Sequence, residues 1–424
     1  MSDKEKNYEE GAPFARETTG YLDSYDDRKL DPTDRADFAS KILSFVRTNK
    51  TAADALVAGN IQMLGFDSLK ERFGDQWEAM RAKVHLLSES VIKKLVAPED
   101  VFVLLPNDQY IVLFGNSDHA KAAVVAKKIV EEVSAKLAGA GAGADAVSVR
   151  ALVLEVPTTG DKPLQTIEGL GETVEETQRK AEEADAAAVV DAQDKLAMRY
   201  WPVANVKKKL VSAYQCELHV PAEHDLDLDL EQGSETGAME AAIDGMTMEL
   251  AGKALQEAYE KNWRAFMVVP VHSETLSVKV FREKYIEVCK ELPEVSSKRL
   301  LLLVKGLPDD VPQGRIHTLF GYVGAFVAGF VGHFSLEFDR AEQLLGARML
   351  GISAAGDAIN QPSEEDVLAL RKFIKSNEKA KLRGFFQGVR QPEAGMTARK
   401  CGFEYVQGPG VAPSMPMAGK VFKV

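Results

Sequence analysis

The sequence predicts an α/β protein of two domains, a smaller mixed α/β domain followed by a (β/α) barrel. Three observations carry this. From Arg199 onward predicted strands alternate with predicted helices, the order that builds a parallel barrel or a wound sheet, and the barrel is the preferred reading. Before Arg199 the order differs, with a short hairpin set between long amphipathic helices. The length of 424 residues fits two domains, and with 45% hydrophobic and 27% charged residues most of the chain can bury a core.

Residues 1–36 carry ten acidic and six basic side chains, with Pro13 and Pro32 and few aliphatics, which predicts a disordered, solvated acidic tail. Helical periodicity begins near Asp37, where Phe38, Ile42, Leu43 and Val46 share a face. A second amphipathic stretch covers 66–95, and Met80, Val84, Leu87, Val91 and Leu95 keep the spacing of a packed helix. Residues 101–105 and 110–114 read as strands joined by Pro106, Asn107, Asp108 and Gln109, three of them turn formers. A helix over 118–137, a strand over 147–156, a loop over 160–172 and an Ala/Glu-rich connector helix from 174 to about 198 complete a domain spanning 37–195.

The second domain, 196–424, opens with a hairpin that pairs 200–203 with 210–220 across Lys207, Lys208 and Lys209. Then come an acidic loop, helix 238–261, strand 264–271, helix 278–291 and strand 299–305. The glycine-rich apolar stretch 319–334 is too short to span a bilayer and reads as a helix feeding a buried strand. Strand 348–353, helix 363–377, strand 383–387, a short helix and a strand near 403–406 follow.

Charge narrows the function. Lys plus Arg total 52 against 64 Asp plus Glu, a net charge of -12, which argues against nucleic acid as a partner and against adsorption on an anionic membrane. Cys216, Cys289 and Cys401 are odd in number and far apart, as in a reducing compartment. The N-terminus lacks an apolar signal core, so a cytoplasmic protein with no membrane span is expected.

Most local motifs have bland readings. The glycine-alanine run 139–144 follows a helix and precedes a strand, the reverse of a phosphate-binding loop, and reads as a connector. Asp225, Asp227, Asp229 and Glu231 would share one face of an extended chain, but Leu230 stands where a calcium loop needs glycine, so a solvated loop is expected. The seven histidines show no metal-ligand spacing, and each alone reads as structural. No nucleophile elbow, P-loop or paired-cysteine motif is present.

The two halves of the chain together resemble a known family pairing. VFVLLPNDQYIVLF (101–114), followed by a long helix, resembles the centre of a GGDEF domain, the fold of diguanylate cyclases. Pro106, Asn107, Asp108, Gln109 and Tyr110 stand where the family has its Gly-Gly-Asp-Glu-Phe turn. The second half is similar to a degenerate EAL domain, the barrel of cyclic-di-GMP phosphodiesterases. The resemblance is carried in order by RYWPVANVKKKLVSAYQCELHV (199–220), FFQGVRQP (385–392) and CGFEYVQGPGVAPSMP (401–416).

The resemblance implies that both active sites are eroded. In the family, carboxylates hold the divalent metals that polarise phosphate and activate water. Here the matching positions are Gln215, Pro270, Ala328, Gly329, Gln387 and Arg390, and strand 301–305 offers no carboxylate. No catalysis, no metal and no other cofactor are expected. The candidate ligand-binding residues are Trp201, His219 and Gln407; the first two replace a Gln and an Arg that hold the nucleotide in the family. The expected function is a non-catalytic bacterial signalling protein acting through a protein partner. The alternative is a cyclic-di-GMP receptor that binds without hydrolysis; a homodimer is left open.

Overall fold

The computed structural model describes residues 40, 42, 44–45, 55–64, 66–115, 117–140, 147–158, 164, 166–224, 230 and 233–423. The acidic tail 1–36, the four carboxylates of 225–231 and residues 141–144 of the glycine-alanine run lie outside them. The chain divides into two compact units, one made of Met1–Ala144 and Val149–Glu175 and the other of Asp145–Ser148 and Glu176–Val424.

In the first unit, strand β1 (Ala55–Leu64) is followed by helices α1 (Phe66–Phe73) and α2 (Trp77–Leu95), then the hairpin β2 (Val101–Leu104) and β3 (Gln109–Leu113). Helix α3 (His119–Ala140) and strand β4 (Ser148–Pro157) follow, and then helix α4 (Ile167–Asp191), whose residues from Glu176 onward belong to the second unit. The sheet order is β2-β3-β1-β4, and β1 runs antiparallel to β3 with Ile61 opposite Tyr110. The sequence reading omits β1, the inner strand, because Gly59, Asn60 and Gln62 interrupt its apolar run, yet all ten residues from Ala55 to Leu64 are strand. Gly59 is needed there, since a Cβ would sit 2.9 Å from the Phe114 ring. The loop expected over 160–172 is shorter than read: Ile167, Leu170 and Val174 are buried at helical spacing and start α4. That helix ends at Asp191, short of 198.

The second unit opens with the hairpin β5 (Ala197–Asn205) and β6 (Leu210–His219), turned by the lysines, with Lys209 at φ 53°. Next come α5 (Ala238–Glu260), β7 (Phe266–His272), α6 (Lys279–Lys290) and β8 (Leu300–Lys305). Then follow α7 (Gln313–Val323), β9 (Gly329–His333), β10 (Met349–Ala355), α8 (Glu364–Lys379), β11 (Arg383–Gln387), α9 (Pro392–Cys401), β12 (Tyr405–Gln407) and a two-residue β13 (Phe422–Lys423).

The nine strands lie in the order β13-β6-β5-β12-β11-β10-β9-β8-β7. A parallel β6–β7 pairing joins the ends, so all but β13 form a closed eight-stranded barrel with β5 as its antiparallel member. Closure, not a wound sheet, is the outcome.

Alternation along each strand sorts the side chains. Val203, Ala213, Val268, Leu301, Leu303, Val331 and Phe385 fill the barrel. Their neighbours Met267, Val269, Leu302, Val304, Phe330 and Phe386 point outward under the helices. The same parity carries the residue two past each inner one to the barrel's C-terminal mouth, where parallel barrels present their polar side chains.

Candidate functional site at the barrel mouth

The hairpin supplies one wall. Arg199 stands opposite Glu217, and Trp201 opposite Gln215. The Glu217 carboxylate accepts from the Arg199 guanidinium at 2.5 Å and from the Trp201 indole N–H. The guanidinium also lies 5.2 Å from the centroid of the Trp201 ring. Trp201 is therefore tethered at its nitrogen and covered by a cation. His219 Nδ1 is tied to the Ala197 carbonyl at 2.8 Å, at the end of the hairpin. Gln215 Oε1 is buried and accepts no hydrogen bond.

Next to the hairpin, where β12 pairs with β5 and β11 with β12, Gln387 is the last residue of β11 and is buried. Gln407 Oε1 accepts the Gly388 N–H at 3.1 Å, and its main chain accepts Val389 N at 3.0 Å. The side-chain oxygen of Gln407 thus ties down the loop after β11, leaving its amide nitrogen for other contacts. Pro270 pairs in register with Leu303 on the inner face of β7. Arg390 lies exposed in the loop after β11. Ala328 and Gly329 sit at the opposite end, where β9 begins and Ala328 N bonds to Leu300 O. The mouth position on that strand belongs to His333, because β9 runs from Gly329 toward the rim.

Sequence reasoning missed three of the rim residues. Lys305 ends β8 two residues past the inward Leu303, and His272 is its register partner on β7. His333 follows the inward Val331 and pairs with Ser353, whose Oγ lies 2.8 Å from His333 Nδ1. The available signal was parity, a basic residue two beyond a buried leucine at a strand's C-terminal end. Without the register, single histidines read as structural.

The electrostatics follow from burial and from Lys305. Burial, helped by the Lys305 ammonium and opposed by Asp357, pushes the His333 imidazole down to about 4. Burial also pulls His272 down, but its hydrogen bond to Asp244 and the negative charges of Asp244 and Glu240 together outweigh that and leave it above the ordinary value. An open cavity of about 520 Å³ lies among the loops after β10 and β11, lined by Asn360, Gln361, Pro362, Gln391 and Glu393. Among the described residues no group of three or more His, Cys, Asp or Glu is placed to hold a metal ion.

The turn between β2 and β3 has a different chemistry. Asp108, at φ 65°, accepts from Arg81 Nε at 2.7 Å and lies 2.8 Å from His85 Nε2, both on α2. His85 Nδ1 is 3.0 Å from the buried Tyr110 hydroxyl. Asn107 donates to Glu175 at 2.6 Å, Pro106 is exposed, and Gln109 Oε1 is buried without a donor. Burial alone would raise the Asp108 carboxyl, yet the bonds from His85 and Arg81 hold it below the usual range. The carboxylate is spent on fastening the hairpin to α2. Asp108→Ala should cost about 2 kcal/mol, from two orphaned donors and an alanine at positive φ. Asp108→Asn, which tolerates that φ, should cost less; equal urea midpoints for wild type and Asp108→Ala would remove this role.

No protein-family profile and no curated protein matches the chain. Among solved structures it is similar to the Vibrio cholerae LapD S helix-GGDEF-EAL bound to c-di-GMP. That match has 11% identity and a TM-score of 0.50, over 89% of this chain and 95% of that one. It is also similar to the Xanthomonas citri FimX EAL domain in complex with c-diGMP, at 17% identity and a TM-score of 0.44, over 57% of this chain and 96% of that one. At such identities the first likeness establishes fold: an α/β architecture with an EAL-like eight-stranded barrel surrounded by helices.

Proposed function

We propose that this protein is a cyclic-di-GMP receptor that takes the nucleotide at the mouth of its EAL-like barrel and does not hydrolyse it. The observation that carries the reading is the composition of the rim. Its inward positions hold Gln215, Pro270, Lys305, His333, Ser353, Gln387 and Gln407, neutral or basic groups that suit a phosphodiester and offer no anionic oxygen to a cation. Of the carboxylates beside them, Glu217 is engaged by Arg199 and Trp201, and Asp244 by His272 and Thr275. The two solved structures named above hold c-di-GMP on the same kind of fold, which supports the choice of ligand.

The reading that sequence alone put first, a scaffold working through a protein partner, draws support from one surface feature. Leu368 of α8 and Met396 of α9 are 70% and 55% exposed on helices that pack together. The mouth is the more specific feature, so the receptor reading stands ahead of it.

Calorimetry of the full chain with cyclic-di-GMP should show saturable heat, and chromatography of the same mixture with magnesium should return the nucleotide intact. No heat up to about 1 mM, a ceiling near -4 kcal/mol, would remove the receptor reading. Appearance of a linear product would remove its non-hydrolytic part.

A further inference from the structure

We infer that Lys305 and His333, with His272 beside them, form the cradle that holds the phosphodiester oxygens of the bound nucleotide. The inference rests on the receptor reading of the mouth and adds the groups that supply the charge. Three strands converge to make this cluster. Parity on β8 sends Leu301 and Leu303 into the barrel, and therefore Lys305 to its rim. On one side His272 is the register partner of Lys305. On the other, Val304 pairs with Gly332, which puts His333 next to Lys305.

Partners distinguish the three. His272 is taken by Asp244, at 3.0 Å from its Nδ1. His333 has Nδ1 at Ser353, which leaves Nε2 for a ligand. Among the described residues no hydrogen bond or ion pair engages the Lys305 ammonium. A partly exposed ammonium with three donors and no protein acceptor, flanked by two imidazoles, is free to take up an anion. An anion with at least two acceptor oxygens suits it, and a phosphodiester carries two non-bridging oxygens that share one negative charge. The charged groups facing the cluster are Asp244 from α5, Asp357 from the loop after β10 and Glu240 from α5. Asp244 is committed to His272 and Thr275 and Glu240 to Ser234, and among the described residues neither they nor Asp357 forms an ion pair with Lys305.

Fluorescence polarisation with a labelled cyclic-di-GMP, on the full chain in EDTA, tests this. Lys305→Ala should weaken binding about tenfold or more, the loss of one charge-assisted contact. Lys305→Glu should abolish binding, and Lys305→Arg should stay within about threefold of wild type. Binding by the wild type that Lys305→Ala leaves unchanged overturns this inference alone, whereas absence of binding by the wild type overturns the receptor reading itself. Should the variants fail to fold, as circular dichroism would show, the wild type still decides: affinity that does not fall as salt rises rules out a charged cradle.

Discussion

Replacing Asp244 with alanine should destabilise the second unit by about 3 kcal/mol, the cost of leaving a backbone N–H, a hydroxyl and an imidazole without the buried acceptor they share. Asp244 is 2% exposed on α5. Its Oδ2 accepts the His272 backbone N–H at 2.7 Å and the Thr275 hydroxyl at 2.6 Å, while Oδ1 lies 3.0 Å from His272 Nδ1. One carboxylate thus fastens the end of β7, and the turn that follows it, to a helix. Alanine leaves three donors with no acceptor in a site too closed for water to replace them all. Urea denaturation would read the loss, and a change below about 1 kcal/mol would mean the network is dispensable. A second readout separates network from packing. His272 is above its ordinary value because of Asp244, against burial and Lys305, so in the variant its titration should drop below that value.

Acidification from pH 7 to pH 4 should progressively remove stability from the barrel through His333. The unfolded imidazole takes up a proton near 6.5, the folded one only near about 4. Across that window the unfolded state binds more protons, so stability falls as pH falls, by a total of order 3 kcal/mol once both forms are protonated. His272 acts in the opposite sense. Its folded value is raised, so its contribution is complete below about 6.5 and is lost as pH rises through the folded value. Asp108 acts like His333 but at lower pH, since a depressed carboxyl loses its contribution only as pH falls through the acid range. Comparing wild type with His333→Asn isolates the first group: the slope of stability between pH 7 and 4 should be shallower in the variant. Parallel curves would show that His333 titrates in the folded protein as it does in the unfolded chain.

Much of the fold was legible because its signals are local. The lysine turn between β5 and β6 announces a hairpin, and the alternation that follows announces repeated strand–helix units. Strand β11 matches its reading residue for residue, because Gly384, Phe385 and Phe386 sit between a charged residue and a glycine turn. Strand β1 was illegible because its buried Asn60 and Gln62 break the apolar pattern, and only the sheet around them accounts for their burial. Helix α4 begins earlier than read because Ile167 and Leu170 pack on the first unit's core across a stretch whose glycines look like a loop.

The site divides along the same line. That Gln215, Pro270, Gln387 and Gln407 carry no negative charge is a property of the letters themselves, and the structure adds only their positions. Which residues gather at the rim is a property of closure. Lys305, His272 and His333 lie far apart in the chain, and they meet because β7, β8 and β9 pair in one register and end at one level. Side-chain parity in a barrel is fixed by pairing between strands, a long-range constraint that no window of sequence contains. The sequence by itself therefore determined the α/β class, the alternation and the uncharged character of Gln215, Pro270, Gln387 and Gln407. The pairing of β7, β8 and β9 decided which basic groups face one another.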